Sequence, residues 1–180
     1  MIDFDFGDAC MTGTAIFSLS IFGGLICWAA LSDLVRFEIP NAIPIAISLL
    51  FLPTALLLGW DLTVMLTHVV AGAGALVLGF LLFMRGYIGG GDAKLLAAIS
   101  IWTGLDALYA YFLFVAIAGG ILALLLLGFR WFNLPKLLQR IAWLERLHGE
   151  KKHIPYGVAI SSGAIIALIQ TPSFYQRFFS

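Results

Sequence analysis

The sequence predicts an all-α, polytopic membrane protein forming one domain over residues 1–180, and three features lead there. Hydrophobic residues make up 62% of the chain and charged residues only 11%, against about 25% charged in an ordinary soluble domain. The apolar residues gather in runs near the roughly 20 that a membrane-crossing helix needs. Between those runs, basic residues fall almost wholly on one side once six crossings are assumed, the asymmetry that orients membrane proteins.

Each span follows from the same ruler. Residues 14–31, 42–59, 62–84 and 108–129 are long enough to cross, and 154–169 is a little short but carries no charge. The first span follows Asp3, Asp5 and Asp8 with no basic residue before it, the wrong flank for a cleavable signal peptide, so it is expected to stay in the protein. Residues 93–104 are too few for a comfortable crossing, and charge decides their case. With that segment crossing and the N-terminus outside, Arg36, Arg85, Lys94, Arg130, Lys136, Arg140, Arg146, Lys151 and Lys152 all lie inside and only Arg177 outside. Without it, the basic stretch from Arg130 to Lys152 would lie opposite Arg36 and Arg85. Six transmembrane helices with both termini outside are therefore expected. A short fourth helix further implies that its inner end is recessed below the headgroups, where glycine-rich backbone is tolerated if protein or a water-filled cavity surrounds it.

In the inner loop after the fifth span, Leu137, Leu138, Ile141, Leu144 and Leu147 recur at helical spacing among Lys136, Arg140 and Arg146. This pattern predicts an amphipathic helix over about 135–148 lying on the lipid surface. A basic loop that only fixes orientation accounts for it equally well. Cys10 and Cys27 form no CxxC pair, and neither a metal site nor any other cofactor is expected.

Ionisable residues at the ends of spans are costly and are functional candidates by default. Two acids stand out. Asp33 lies in "LSDLVRFEIPN" where the first span runs out, and Asp92 follows Gly89, Gly90 and Gly91 at the start of the fourth. Structural readings stand beside the catalytic one: Asp92 suits an N-cap, and Asp33 could pair with Arg36 or Lys94. The topology nevertheless brings both acids to the inner face. Two carboxylates in one site share a proton and titrate as a unit, and such a pair can activate water and protonate a leaving amine without a metal. His68, inside the third span, reads as a hydrogen-bonded packing residue, and Lys94 as an inside-flank lysine whose ammonium reaches the headgroups. Pro40 and Asn41 read as the start of the second helix.

At these residues the chain resembles the type IV prepilin peptidases, membrane aspartyl proteases with a GxGD signature. That signature corresponds to Gly89, Gly90, Gly91 and Asp92, continuing into Ala93 and Lys94, and the family's second element to Asp33 with Ile39, Pro40 and Asn41. "IPYG" at 154–157 is similar to the proline-aromatic-glycine start of the family's last span. The presenilin group also uses GxGD, but its first aspartate follows a tyrosine, whereas Ser32 precedes Asp33 here.

The resemblance implies Asp33 and Asp92 as the catalytic pair, with Gly89 to Gly91 admitting an extended substrate or the partner aspartate close to the backbone. Lys94, Pro40 and Asn41 would be supporting residues. It also implies a prepilin or pseudopilin precursor as substrate, membrane lipids and no nucleic acid as partners, and a bacterial inner-membrane location with the site facing the cytoplasm. Larger members carry paired CxxC motifs and N-methylate the trimmed pilin. This chain lacks those motifs and resembles the short, peptidase-only branch that serves Flp or Tad-type pili. Two other classes remain open at this level: an ion- or proton-coupled transporter component, and a catalytically silent scaffold of pilus assembly.

Overall fold

The computed structural model describes residues 6–131, 135, 141–149, 154–172, 176 and 178, with backbone alone for 6–10 and 142. Among the described residues six helices are delimited: α1 Phe6–Arg36, α2 Ala42–Leu57, α3 Leu62–Met84, α4 Gly90–Trp131, α5 Ala142–Gly149 and α6 Tyr156–Gln170. No strand occurs among the described residues. Stretches Met11–Arg36, Leu62–Met84 and Gly90–Trp131 are long and apolar enough to cross a membrane, while α2 and α6 are shorter apolar helices.

Helix α3 has the predicted bounds, because Asp61 and Arg85 end the apolar run where the helix itself ends. The first helix runs past its predicted end. Nothing between Leu31 and Arg36 breaks a helix, so hydrogen bonding continues beyond the apolar run until Phe37, at φ 56°, stops it. Asp33 therefore lies in the last turn of α1 rather than beyond it. At the other end of the next helix, α2 stops at Leu57 and the chain turns through Gly59 at φ 67°.

The predicted fourth and fifth spans meet without a loop. They are two arms of α4, 90–103 and 105–131, joined at Gly104, whose φ of 64° and ψ of −178° are not helical. That region of backbone space is essentially open to glycine alone. Chain direction reverses there. On a straight helix Asp92 and Gly119 would stand about 40 Å apart at about 1.5 Å per residue, yet Gly119 lies against Tyr156, and Tyr156 and Asp92 line one cavity.

Interruption at Gly104 frees the carbonyl of Ile101, and His68 of α3 satisfies it, Nδ1 lying 2.7 Å from that oxygen. The imidazole is stacked on Phe51 and buried, in the packing role expected of it. Around it Trp60, Trp102 and Phe22 form an aromatic cluster, with Trp102 stacked on Phe22 at 4.6 Å and donating its Nε1–H to the Ile47 carbonyl at 2.9 Å. The cluster ties α1, α2, α3 and the first arm of α4 together at one end of the bundle. Where hydrocarbon replaces water, such close packing and interhelical hydrogen bonds hold helices together.

Helices α2 and α6 each pack against both α1 and α4 and so bridge the two aspartate-bearing helices. The amphipathic helix is seen as α5, which begins at Ala142. Residues 136–140 of its predicted extent, with Lys136, Leu137, Leu138 and Arg140, lie outside the described residues, as do Lys151, Lys152, His153 and Arg177. Helix α5 packs by the buried Leu147, whose carbonyl accepts from Arg130 Nε at 3.1 Å, and by His148 against Phe129.

Candidate active site

Asp33 and Asp92 come from different helices and face one cavity of about 600 Å³. Its walls are the end of α1, the link 37–41, the link 86–89 with the first turn of α4, and Ile154 and Tyr156 before and at the start of α6. Both acids are buried, at 6% and 8% exposure. Neither stands in bulk water, and the helix arm bearing Asp92 is short, about 20 Å for 90–103.

The turn after Asp33 is strained and pinned. A bulky side chain at φ 56° is a backbone outlier, and two hydrogen bonds hold it. Phe37 N–H donates to the Asp33 carbonyl at 2.9 Å, and buried Ser32 donates its hydroxyl to the Glu38 carbonyl at 2.8 Å. The turn also delivers Ile39 into the site. A methyl group built on Gly91 would lie 3.2 Å from Ile39 Cβ, and one built on Gly157 would lie 2.9 Å from Ile39 Cδ1. Ile39 thus fills the space between the backbone beside Asp92 and the backbone beside Asp33.

The three glycines before Asp92 make room mainly for neighbours within the fold. Gly89 faces the Asp92 carboxylate, Gly90 the Phe83 ring, and Gly91 Ile39. Asp92 is not the N-cap, because α4 begins two residues earlier. Gly89 precedes the helix and its carbonyl accepts the first helical bond, from Ala93 N–H at 3.1 Å. Asp92 reaches back to accept the Gly89 N–H on Oδ2 at 3.0 Å, the third-position half of a capping box. Its other oxygen, Oδ1, is buried and finds no hydrogen-bond partner among the described residues.

Asp33 is held from far along the chain and pairs with neither Arg36 nor Lys94. Its Oδ2 accepts the backbone N–H of Gly157 at 2.6 Å. Lys94 donates its ammonium to Asn41 Oδ1 at 2.9 Å, so it braces the α1–α2 link against α4 instead of reaching away to headgroups. Asn41 does precede α2, yet its side chain makes no capping bond there, being engaged by Lys94. The structure therefore gathers all eight sequence-predicted residues at one end of the bundle: Asp33, Pro40, Asn41, Gly89, Gly90, Gly91 and Asp92 on the cavity wall, Lys94 just behind it.

A family model for the type IV leader peptidases matches residues 20–124. The chain belongs to the type IV leader peptidase family. No curated protein and no solved structure matches it. Membership makes this leader peptidase-family chain a protease, and its three long apolar helices mark a membrane protein. The family implies a prepilin-type substrate. The matched stretch covers Asp33 and Asp92 and ends before α6.

Sequence reasoning missed that Gly157 contacts Asp33. The signal was present, since "IPYG" was singled out, but only as the start of a span. Glycine at 157 has a reason the one-dimensional pattern hides: a methyl group there would lie 2.8 Å from Asp33 Oδ2.

Proposed function

We propose that the chain is a membrane-embedded aspartyl endopeptidase that cleaves the leader from type IV prepilin-like precursors at the inner face of the bacterial cytoplasmic membrane. What carries the reading is one observation: two carboxylates on separate helices, both buried, open onto the same cavity. The partnerless Asp92 Oδ1 supports it, because a buried acceptor is normally satisfied, and a water or a peptide group bound there would complete it.

With one proton between the two carboxyls, the ionised one removes a proton from water as that water attacks the scissile carbonyl carbon. The protonated one donates to the carbonyl oxygen. Collapse of the tetrahedral intermediate then passes a proton to the leaving amine and returns the pair to its starting state. Asp33 and Asp92 together fill these roles. Gly89 and Gly157 hold one carboxylate oxygen each.

Six crossings follow if the two arms of α4 each traverse the bilayer, and the basic residues then place the cavity on the cytoplasmic side. A site at the end of an arm of about 20 Å, in a hydrocarbon core of about 30 Å, lies recessed and meets the substrate where its basic leader gives way to its apolar helix. Lacking paired CxxC motifs, the chain trims without methylating. The test is direct: purified protein in lipid nanodiscs, mixed with a model prepilin, yields the free leader and an unmethylated mature chain by mass spectrometry. An intact substrate that the protein binds without cutting would instead indicate a silent scaffold.

A further inference from the structure

Gly157 lies outside the family-matched stretch, yet it makes the shorter of the two hydrogen bonds to the aspartate carboxylates. Its N–H reaches Asp33 Oδ2 at 2.6 Å across a sequence separation of 124 residues. Because Gly157 is in the first turn of α6, its N–H has no partner within the helix, so the bond to Asp33 costs the helix nothing. It also fixes the rotation of the carboxylate and leaves Oδ1 for exchange with water or substrate. A side chain has no room: a Cβ would meet Asp33 Oδ2 at 2.8 Å, Asp33 Cβ at 2.9 Å and Ile39 Cδ1 at 2.9 Å. Helix α6 cannot simply retreat, since four residues on Ser161 donates to the Ile26 carbonyl of α1 at 2.9 Å.

We infer that Gly157 is a positioning residue for Asp33: its amide orients the carboxylate, its missing side chain admits it, and Ile39 sets the spacing between Gly157 and the backbone beside Asp92. The inference rests on the proposed role of Asp33. It makes the first turn of α6 a functional wall of the site as well as a packing surface.

The test uses the full chain in nanodiscs and, as substrate, a peptide with a basic leader followed by an apolar helix of about 20 residues. Gly157→Ala keeps the N–H but displaces Asp33. Replacing the 157 amide by an ester, through glycolic acid incorporation, removes the donor and adds no atoms. Both are expected to lower kcat at least about tenfold with KM nearly unchanged, since a displacement of about 1 Å can cost about a hundredfold. Both should also shift the Asp33 carboxyl infrared band, isolated by subtracting the Asp33→Asn spectrum, a readout that needs no turnover. Adding Ile39→Val, which removes Cδ1, should recover part of the loss in Gly157→Ala. Gly163→Ala is the packing control: its Cβ would meet the Val115 backbone N at 2.6 Å, so it lowers stability but leaves the Asp33 band in place. An unshifted band and wild-type kcat in the ester variant overturn the inference, and the ester decides even if Gly157→Ala misfolds. Full cleavage by Asp33→Asn would instead remove the reading beneath it.

Discussion

Lys94 and Asn41 lock together the two sequence elements that carry the aspartates: the ammonium donates to Asn41 Oδ1 at 2.9 Å. The lysine is thus spent on a neutral side chain, away from both carboxylates. Lys94→Gln removes the charge and shortens the side chain by one bond, and is expected to retain cleavage within about tenfold of wild type. Loss of an exposed hydrogen bond of this kind costs about 1 kcal/mol, visible as a small fall in melting temperature in detergent. A loss approaching that of an aspartate variant would place the ammonium in the chemistry.

Gly104 and His68 form the hinge of α4. A side chain at 104 is excluded twice, by backbone conformation and by the imidazole, whose Nε2 would lie 2.7 Å from the new Cβ. Gly104→Ala is expected to destabilise by about 3 kcal/mol, strain and overpacking each contributing about 1 to 3. His68→Leu leaves the Ile101 carbonyl without its donor, a loss of about 1 to 3 kcal/mol, while cleavage per folded molecule stays near wild type. Denaturant titration in mixed micelles measures both. Abolished cleavage in well-folded His68→Leu would show that this histidine acts beyond packing.

The proposed orientation is tested at the two ends of the bundle. Asp61 follows Trp60 and Asp106 lies two residues after Gly104, at the aromatic end, while Arg85 adjoins the cavity-lining Gly86. In a variant lacking Cys10 and Cys27, a single cysteine near Asp61 or Asp106 should react with a membrane-impermeant thiol reagent added to intact cells. One near Arg85 should react only after permeabilisation. The opposite pattern would turn the cavity to the outside and separate it from a cytoplasmic leader.

Metal dependence is a fourth check. Among the described residues no group of three or more His, Cys, Asp or Glu is placed to hold a metal ion, and in the proposed mechanism the two carboxyls supply both base and acid. Cleavage is expected to continue at full rate in EDTA. Inhibition reversed by zinc would assign the chemistry elsewhere.

Much of this was legible from the chain. The apolar run of α3 is bounded by charges at both ends, so hydropathy and helix coincide there. Both aspartates were found because charge is expensive in such a sequence and each stands beside a recognisable motif. What stayed hidden depends on contacts between distant segments. Helix α6 packs along both α1 and α4, and only that packing brings Gly157 to Asp33. Phe37 carries no mark of its φ of 56°, because the strain is imposed by the bonds around it. Gly104 was seen as a helix end, but that a single residue reverses the chain follows from its conformation and the aromatic cluster beneath it. The role of Asp92 within its helix turned on where hydrogen bonding begins, which three successive glycines do not reveal.

Cleavage by the two isosteric variants, Asp33→Asn and Asp92→Asn, each in nanodiscs with the model prepilin, tests the central claim most directly. Asparagine keeps the shape of the side chain, so both proteins should insert and fold as wild type. A pair that works as a unit loses function with either member, and each variant should fall by about 1,000-fold or more, the scale expected when an essential acid–base group of a hydrolase is removed. Wild-type cleavage by either one would contradict the aspartyl mechanism.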